Sequence, residues 1–186
     1  MALPGEPMAG QRVLVASRLA AIEVFGADCL GAIGERMPAE SRWLVESALI
    51  DEQWLPERYV MAWQEAVWAG PAKLDEAAFR VWVHKTIELG FGRVRRLLVK
   101  LVNPATMCTR AAELWHEEHS HGVITAEPNG QEVLIRLREH PYTERAIPRT
   151  VLAQAMCHAA SLTRAKSVTG SHRMDGDALE VKLVWR

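Results

Sequence analysis

"GVITAEPNGQEVLIRLREH", residues 122–140, is where the periodicity of the chain changes. Before it, apolar residues recur every three to four positions; within it they alternate. Val133, Ile135 and Leu137 fall on one side of an extended segment, against Glu132, Arg136 and Arg138 on the other, the two-residue period of a half-buried strand. The Asn-Gly pair at 129–130 predicts a hairpin turn between "GVITAE" and "QEVLIRLREH". A second hairpin closes the chain: "KSVTGSHRM", an Asp175-Gly176 turn, and "ALEVKLVW", whose Leu179, Val181, Leu183 and Trp185 share a face. Residues 145–163 between the hairpins read as a helix. Runs of helices followed by antiparallel hairpins define an α+β fold, not a doubly wound one. The fold class is thus a helical half followed by a four-stranded antiparallel sheet (β-hairpin, helix, β-hairpin), one face of which would pack on helices.

Working back toward the N-terminus, Val13–Val15 form a short strand or open a helix. Val15, Leu19, Ile22, Cys29, Ile33 and Met37 then keep helical spacing, with a bend at Gly26. "MPAESRWLVESAL" restarts a helix with Pro38 in its first turn. In "DEQWLPERYVMAWQEAVWAGP", Asp51 is the expected N-cap, Pro56 fits the first turn and Gly70-Pro71 is the stop. A third long helix begins near Leu74-Asp75, carries Phe79, Trp82, Val83 and Ile87, and continues through "GFGRVRRLLVKLVNP". "ATMCTRAAELWHEEHSHG" is the last helix, stopped by Gly122. The expected organisation is a disordered tail over 1–11 and a single α+β domain over 12–186, with a helical half (12–121) and a ββαββ half (122–186).

The 186 residues are 24% charged and 49% hydrophobic, with a formal net charge of −1. A field that weak steers neither nucleic acid nor anionic lipid. Cys29, Cys108 and Cys157 are odd in number and widely spaced, which suits reduced thiols and excludes a disulfide framework or zinc ribbon. The first residues carry no signal-peptide pattern. No apolar run approaches the roughly 20 residues of a membrane span, so the expected location is cytoplasmic. No Gly-x-Ser-x-Gly, phosphate-cradling glycine loop or Cys–His–Asp order is present, and Cys157 and His158 are adjacent on a helix and face apart. No enzyme activity is expected.

Three groups of residues are candidate sites. Trp54, Tyr59, Trp63, Trp68 and Trp82 on neighbouring helices can be core, or can line an apolar pocket or partner face. Arg93, Arg96 and Lys100 form a basic stripe that suits an anion, nucleotide or nucleic acid. The interleaved leucines and valines favour a solvated amphipathic face instead, and nucleic acid is weighed against. His116, His119 and His121 would suit a metal if they converged. The string His-Glu-Glu-His is one residue short of the zinc-protease motif, and imidazoles at a helix C-terminus are favoured by its dipole. The structural reading is preferred, with no metal site assigned.

The opening "RVLVASRLAAIEVFGADCLGAIGE" (12–35) resembles the start of the H-NOX (haem nitric oxide/oxygen-binding) fold. Trp54-Leu55-Pro56, Asn103-Pro104-Ala105, the Trp115–Gly122 spacing and the closing strand on Trp185 resemble a myxobacterial-type paralogous family of proteins of similar length. The general layout is similar to 4-vinyl-reductase-type ligand-binding domains. These resemblances imply a pocket-forming signalling module, often dimeric. H-NOX proteins hold haem with a proximal histidine and a Tyr-x-Ser-x-Arg triplet. That triplet is absent: Tyr59 leads "YVMAW", and Tyr142 leads "YTERA", where Glu144 stands in for the Ser. His84 is the candidate axial ligand. The resulting expectation is a non-enzymatic sensor or adaptor that binds an apolar small molecule or a protein partner and forms a homodimer. No cofactor is expected, and haem is weighed against. The alternatives are a haem or metal sensor using His84 or His116/His119, and a nucleotide or nucleic-acid binder using Arg93, Arg96 and Lys100.

Overall fold

The computed structural model describes residues 5–49 and 53–186, apart from the side chains of 93–96; the expected N-cap Asp51 lies outside the described residues. Two compact units emerge: Met1–Gly90 with Glu118–Ser120, and Phe91–Glu117 with His121–Arg186.

The first unit is helical around a small ribbon. Val13–Val15 open a helix, α1 (Gln11–Phe25), that ends at Gly26 (φ +86°), the expected bend. Strand β1 (Met8–Gly10) precedes it, inside the stretch expected as a tail. It pairs antiparallel with β2 (Trp54–Pro56), so Trp54-Leu55-Pro56 is strand and not a first helical turn. Helix α2 (Cys29–Gly34) carries the buried Ile33. The segment expected as one restarted helix is a 3-10 turn (Ala39–Ser41) followed by the single turn α3 (Trp43–Glu46). Its end is tied by Arg18 Nη1, which donates to the Ser47 carbonyl at 2.7 Å. Helix α4 (Glu57–Ala69) stops at Gly70, as expected. A Cβ at Gly70 would stand 2.7 Å from the Ala66 carbonyl oxygen, so the chain's turn there excludes a side chain. Helix α5 (Glu76–Val99) is broken at Gly92, whose φ of +64° is not helical and costs glycine little.

The core of this unit is aromatic. Trp63 is fully buried and Trp82 is 1% exposed. The Trp82 ring lies 5.0 Å from Phe79, Phe79 meets Trp68 edge-on at 5.2 Å, and Trp82 Nε1 donates to the Ser17 carbonyl at 3.0 Å. That bond gives a buried indole N–H the partner it requires.

The second unit carries the sheet. Helix α6 (Pro104–Glu113) starts on Asn103, whose side chain accepts from the Thr106 amide at 2.8 Å. It ends at Glu113; a 3-10 turn (Trp115–Glu117) follows, so the expected helix through Gly122 is shorter than its sequence suggested. Strands β3 (Val123–Asn129), β4 (Glu132–Arg138), β5 (Val168–Asp175) and β6 (Ala178–Trp185) form one antiparallel sheet in the order β3-β4-β6-β5. Helix α7 (Ala146–Ser161) joins the hairpins. The α+β class and the joined four-stranded sheet are as the periodicity required. Both turns sit one residue later than expected, on Gly130-Gln131 and Gly176-Asp177. Only the glycine has positive φ in each, which is the II′ geometry that matches strand twist.

One face of the sheet buries Val133, Ile135, Leu137, Leu179, Val181 and Leu183 against Met107 and Cys108 of α6 and Ala153 and Ala160 of α7. A Cβ on Gly170 would come within 3.0 Å of Cys157 Sγ, so α7 packs directly on the β5 backbone. The three cysteines are free thiols, as expected, and burial pushes Cys108 up to about 12, with Cys157 nearby adding to it. On the opposite face Glu180, 3% exposed, is gripped by two arginines. Arg136 Nε donates to its Oε1 at 2.7 Å and Arg173 Nε to its Oε2 at 2.9 Å. These bonds, Arg136 first, hold the carboxyl below the usual glutamate range. A depressed native pKa contributes stability above the unfolded value, near 4, and that stability is lost as pH falls through the native value. Glu180→Gln is therefore expected to lower the urea midpoint at neutral pH and to reduce the difference from wild type in strong acid.

Among the described residues no helix is long and apolar enough to cross a membrane.

Candidate functional site

The histidine-rich stretch does not behave as a helix end. Residues 118–120 leave the second unit and join the β1–β2 ribbon of the first. Gly10 N donates to the Glu118 carbonyl at 2.8 Å, and Ser120 N to the Met8 carbonyl at 2.9 Å, with Ala9 bridged to His119. Met8 N also donates to Ser120 Oγ at 2.9 Å, and Arg12 pairs with Glu118 at 3.1 Å. Through His119 the segment makes an isolated antiparallel bridge to β1. Its partner across the ribbon, β2, leads straight into α4, so Glu57 is the first helical residue after Pro56. Glu57 N donates to the Pro7 carbonyl at 2.9 Å, which fixes that helix start.

This arrangement brings His119 Nδ1 to 3.5 Å from Glu57 Oε1. The Glu57 side chain is 1% exposed and that of His119 14%. A carboxylate beside one ring nitrogen helps to orient an imidazole, the usual support for a metal-ligating histidine. Burial strengthens the effect, because a carboxylate without water interacts more strongly with its neighbours.

In the second unit His121 and His140 stand with ring centroids 4.8 Å apart. Trp115 Nε1 donates to the His121 carbonyl at 2.8 Å, and its ring lies 6.1 Å from His140. The Tyr142 amide donates to His140 Nδ1 at 3.3 Å, which leaves that nitrogen the acceptor and favours the tautomer protonated on Nε2. Gly122, at φ +78°, turns the chain between these rings, and a Cβ there would stand 3.3 Å from Trp115 Nε1.

The sequence candidates distribute as follows. His119 lies in the first unit with Glu57 and His121 in the second with His140, while His116 is exposed in the 3-10 turn. The expectation that His116 and His119 sit i,i+3 on one helix therefore fails, because α6 ends at Glu113. His84 is half-buried on α5. Trp68 and Trp82 gather on Phe79, and Trp63 is buried in the same unit; Trp54 is 44% exposed on β2. Tyr59, 7% exposed, carries the Arg58 guanidinium 4.5 Å above its ring. The side chains of Arg93 and Arg96 lie outside the described residues, and Lys100 is exposed just beyond α5. Glu57 and His140 were not among the candidates read from sequence.

No family model matches the chain, and no curated protein does. The fold does have solved counterparts. An Fe(II) unliganded H-NOX protein from K. algicida aligns with a TM-score of 0.67 at 10% identity, over 95% of this chain and 96% of that one. An oxygen-binding H-NOX domain related to soluble guanylate cyclases, solved as its oxygen complex, aligns with a TM-score of 0.63 at 9% identity, over 94% and 93%. A third, from work on haem distortion in the H-NOX family, gives 0.65 at 9% identity, over 94% and 93%. The chain has the H-NOX architecture. The resemblance to the H-NOX fold is thereby supported, and that to the myxobacterial-type family gains no support.

The expectation that no cofactor is present, with haem weighed against, is overturned. Proteins of this fold are studied as haem proteins, and Glu57, His119, His121 and His140 are side chains able to ligate a metal. Imidazole suits iron, haem-bound or not. The donor chemistry thus fits a metal-centred group. The Tyr-x-Ser-x-Arg triplet remains absent: Thr143 is buried with its hydroxyl donating to the His140 carbonyl at 3.0 Å, and Glu144 is exposed.

Proposed function

We propose that the protein is a sensor module of H-NOX architecture that holds an iron-centred cofactor, haem in the first instance, through His119. The observation that carries this reading is the buried Glu57 carboxylate that lies 3.5 Å from His119 Nδ1. His119 would supply an imidazole ligand and Glu57 would orient it. Haem, when bound, would supply an iron able to take a small gas molecule, the chemistry of the structural neighbour solved as its oxygen complex. Dimerisation, which a signalling module would use to pass its state on, belongs to the same proposal.

The test is native mass spectrometry with an absorption spectrum of the full chain after incubation with haem. One haem per chain and a Soret band are expected, with an oligomer mass of twice the chain. Absence of a Soret band, together with iron far below stoichiometric, overturns the reading.

A further inference from the structure

The second unit has a cavity of about 400 Å³ among the β3–β4 turn, the start of α6, the loop from α7 to β5 and the end of β6. Arg164, Lys166 and Arg186 line it, with Asn103, Gly130 and Trp185 among its walls, and no acidic side chain does. Hydrogen bonds fix the backbone that carries the three cations. Arg164 N donates to the Val102 carbonyl at 3.2 Å, Lys166 N to the Arg186 carbonyl at 2.8 Å and Arg186 N to the Ser167 carbonyl at 3.2 Å. Trp185 N donates to the Gln131 carbonyl at 3.0 Å, which ties the wall to the β3–β4 turn.

Elsewhere on the same sheet three cations are neutralised. Arg136 and Arg173 share Glu180, and Lys182 meets Glu132 at 2.8 Å. Among the described residues none of Arg164, Lys166 and Arg186 makes such a pair. Three like charges gathered in a concave surface raise the local potential and concentrate anions there. Two guanidinium forks and one ammonium match the several acceptor oxygens of phosphate better than a single carboxylate does. The volume falls in the range of small-molecule sites, roughly 300–1,000 Å³.

We propose that this cavity binds a small molecule bearing a diphosphate group. It does not depend on the His119 site, since every residue that forms it belongs to the second unit.

Isothermal titration calorimetry of the full chain tests it with two magnesium-free probes, inorganic pyrophosphate and ADP. Saturable 1:1 binding that weakens with added salt is expected for at least one. Equal affinity for both identifies the diphosphate alone as the ligand; tighter ADP binding adds its nucleoside. Arg164→Ala and Lys166→Ala should each lower affinity about tenfold and the pair should abolish it. All three side chains are exposed, so the fold is expected to survive, which circular dichroism checks. Arg138→Ala, an exposed cation outside the cavity, should bind as wild type does. No saturable binding of either probe in the millimolar range, or an equal loss in Arg138→Ala, overturns the proposal.

Discussion

Trp82→Ala is expected to cost about 3–5 kcal/mol of folding free energy, the range for removing a large aromatic from a packed core. Whole domains are stable by only about 5–15 kcal/mol, so the loss takes the first unit to the edge of unfolding. Trp82 is 1% exposed, its ring rests on Phe79, and its Nε1 satisfies the Ser17 carbonyl. Alanine removes the contacts together with the indole hydrogen bond to the Ser17 carbonyl. Trp82→Phe keeps most of the volume and loses only the hydrogen bond, so it should cost well under half as much. Trp54, 44% exposed on β2, provides the contrast, since Trp54→Ala should fall within about 0.5 kcal/mol of wild type. Urea unfolding of the three variants reads all of this. A small effect at Trp82 would mean that the ring borders open space instead of core.

Glu57→Gln is the second large effect, expected on cofactor affinity. It keeps the shape of the side chain and removes the charge facing His119 Nδ1. Replacing the carboxylate that orients a ligating histidine weakens metal affinity about 10–100-fold. His119→Ala removes the ligand and should abolish the bound cofactor. Haem titration of Glu57→Gln measures the first; an affinity equal to wild type would place the ligand elsewhere, with His84 the next residue to replace. Thermal unfolding without cofactor separates this from a loss of fold.

The sheet was legible because its strands are long enough to show a period: Leu179, Val181, Leu183 and Trp185 alternate through most of β6, and all four are buried. The β1–β2 ribbon was not, because three-residue strands have no period and Pro56 suits a first helical turn as well as a strand end. Residues 113–121 misled for a related reason. Their composition suits a helix C-terminus, but Glu118–Ser120 find backbone partners in β1, far away in sequence. A pairing between distant segments outweighs local propensity and leaves no local mark. Glu57 did leave one: the buried positions Val60, Gln64 and Val67 of α4 extrapolate back to it, placing a carboxylate on the apolar face. A charge on a buried stripe is a signal for function, and it was readable. His140 lies two residues past the end of β4, out of phase with its buried positions, and carries no such mark.

Haem titration followed at the Soret band, in wild type beside His119→Ala and His84→Ala, tests the central claim most directly. The account predicts one haem per chain in wild type, the same in His84→Ala, and none in His119→Ala. A band that survives His119→Ala and disappears in His84→Ala, or no band in wild type, would contradict it.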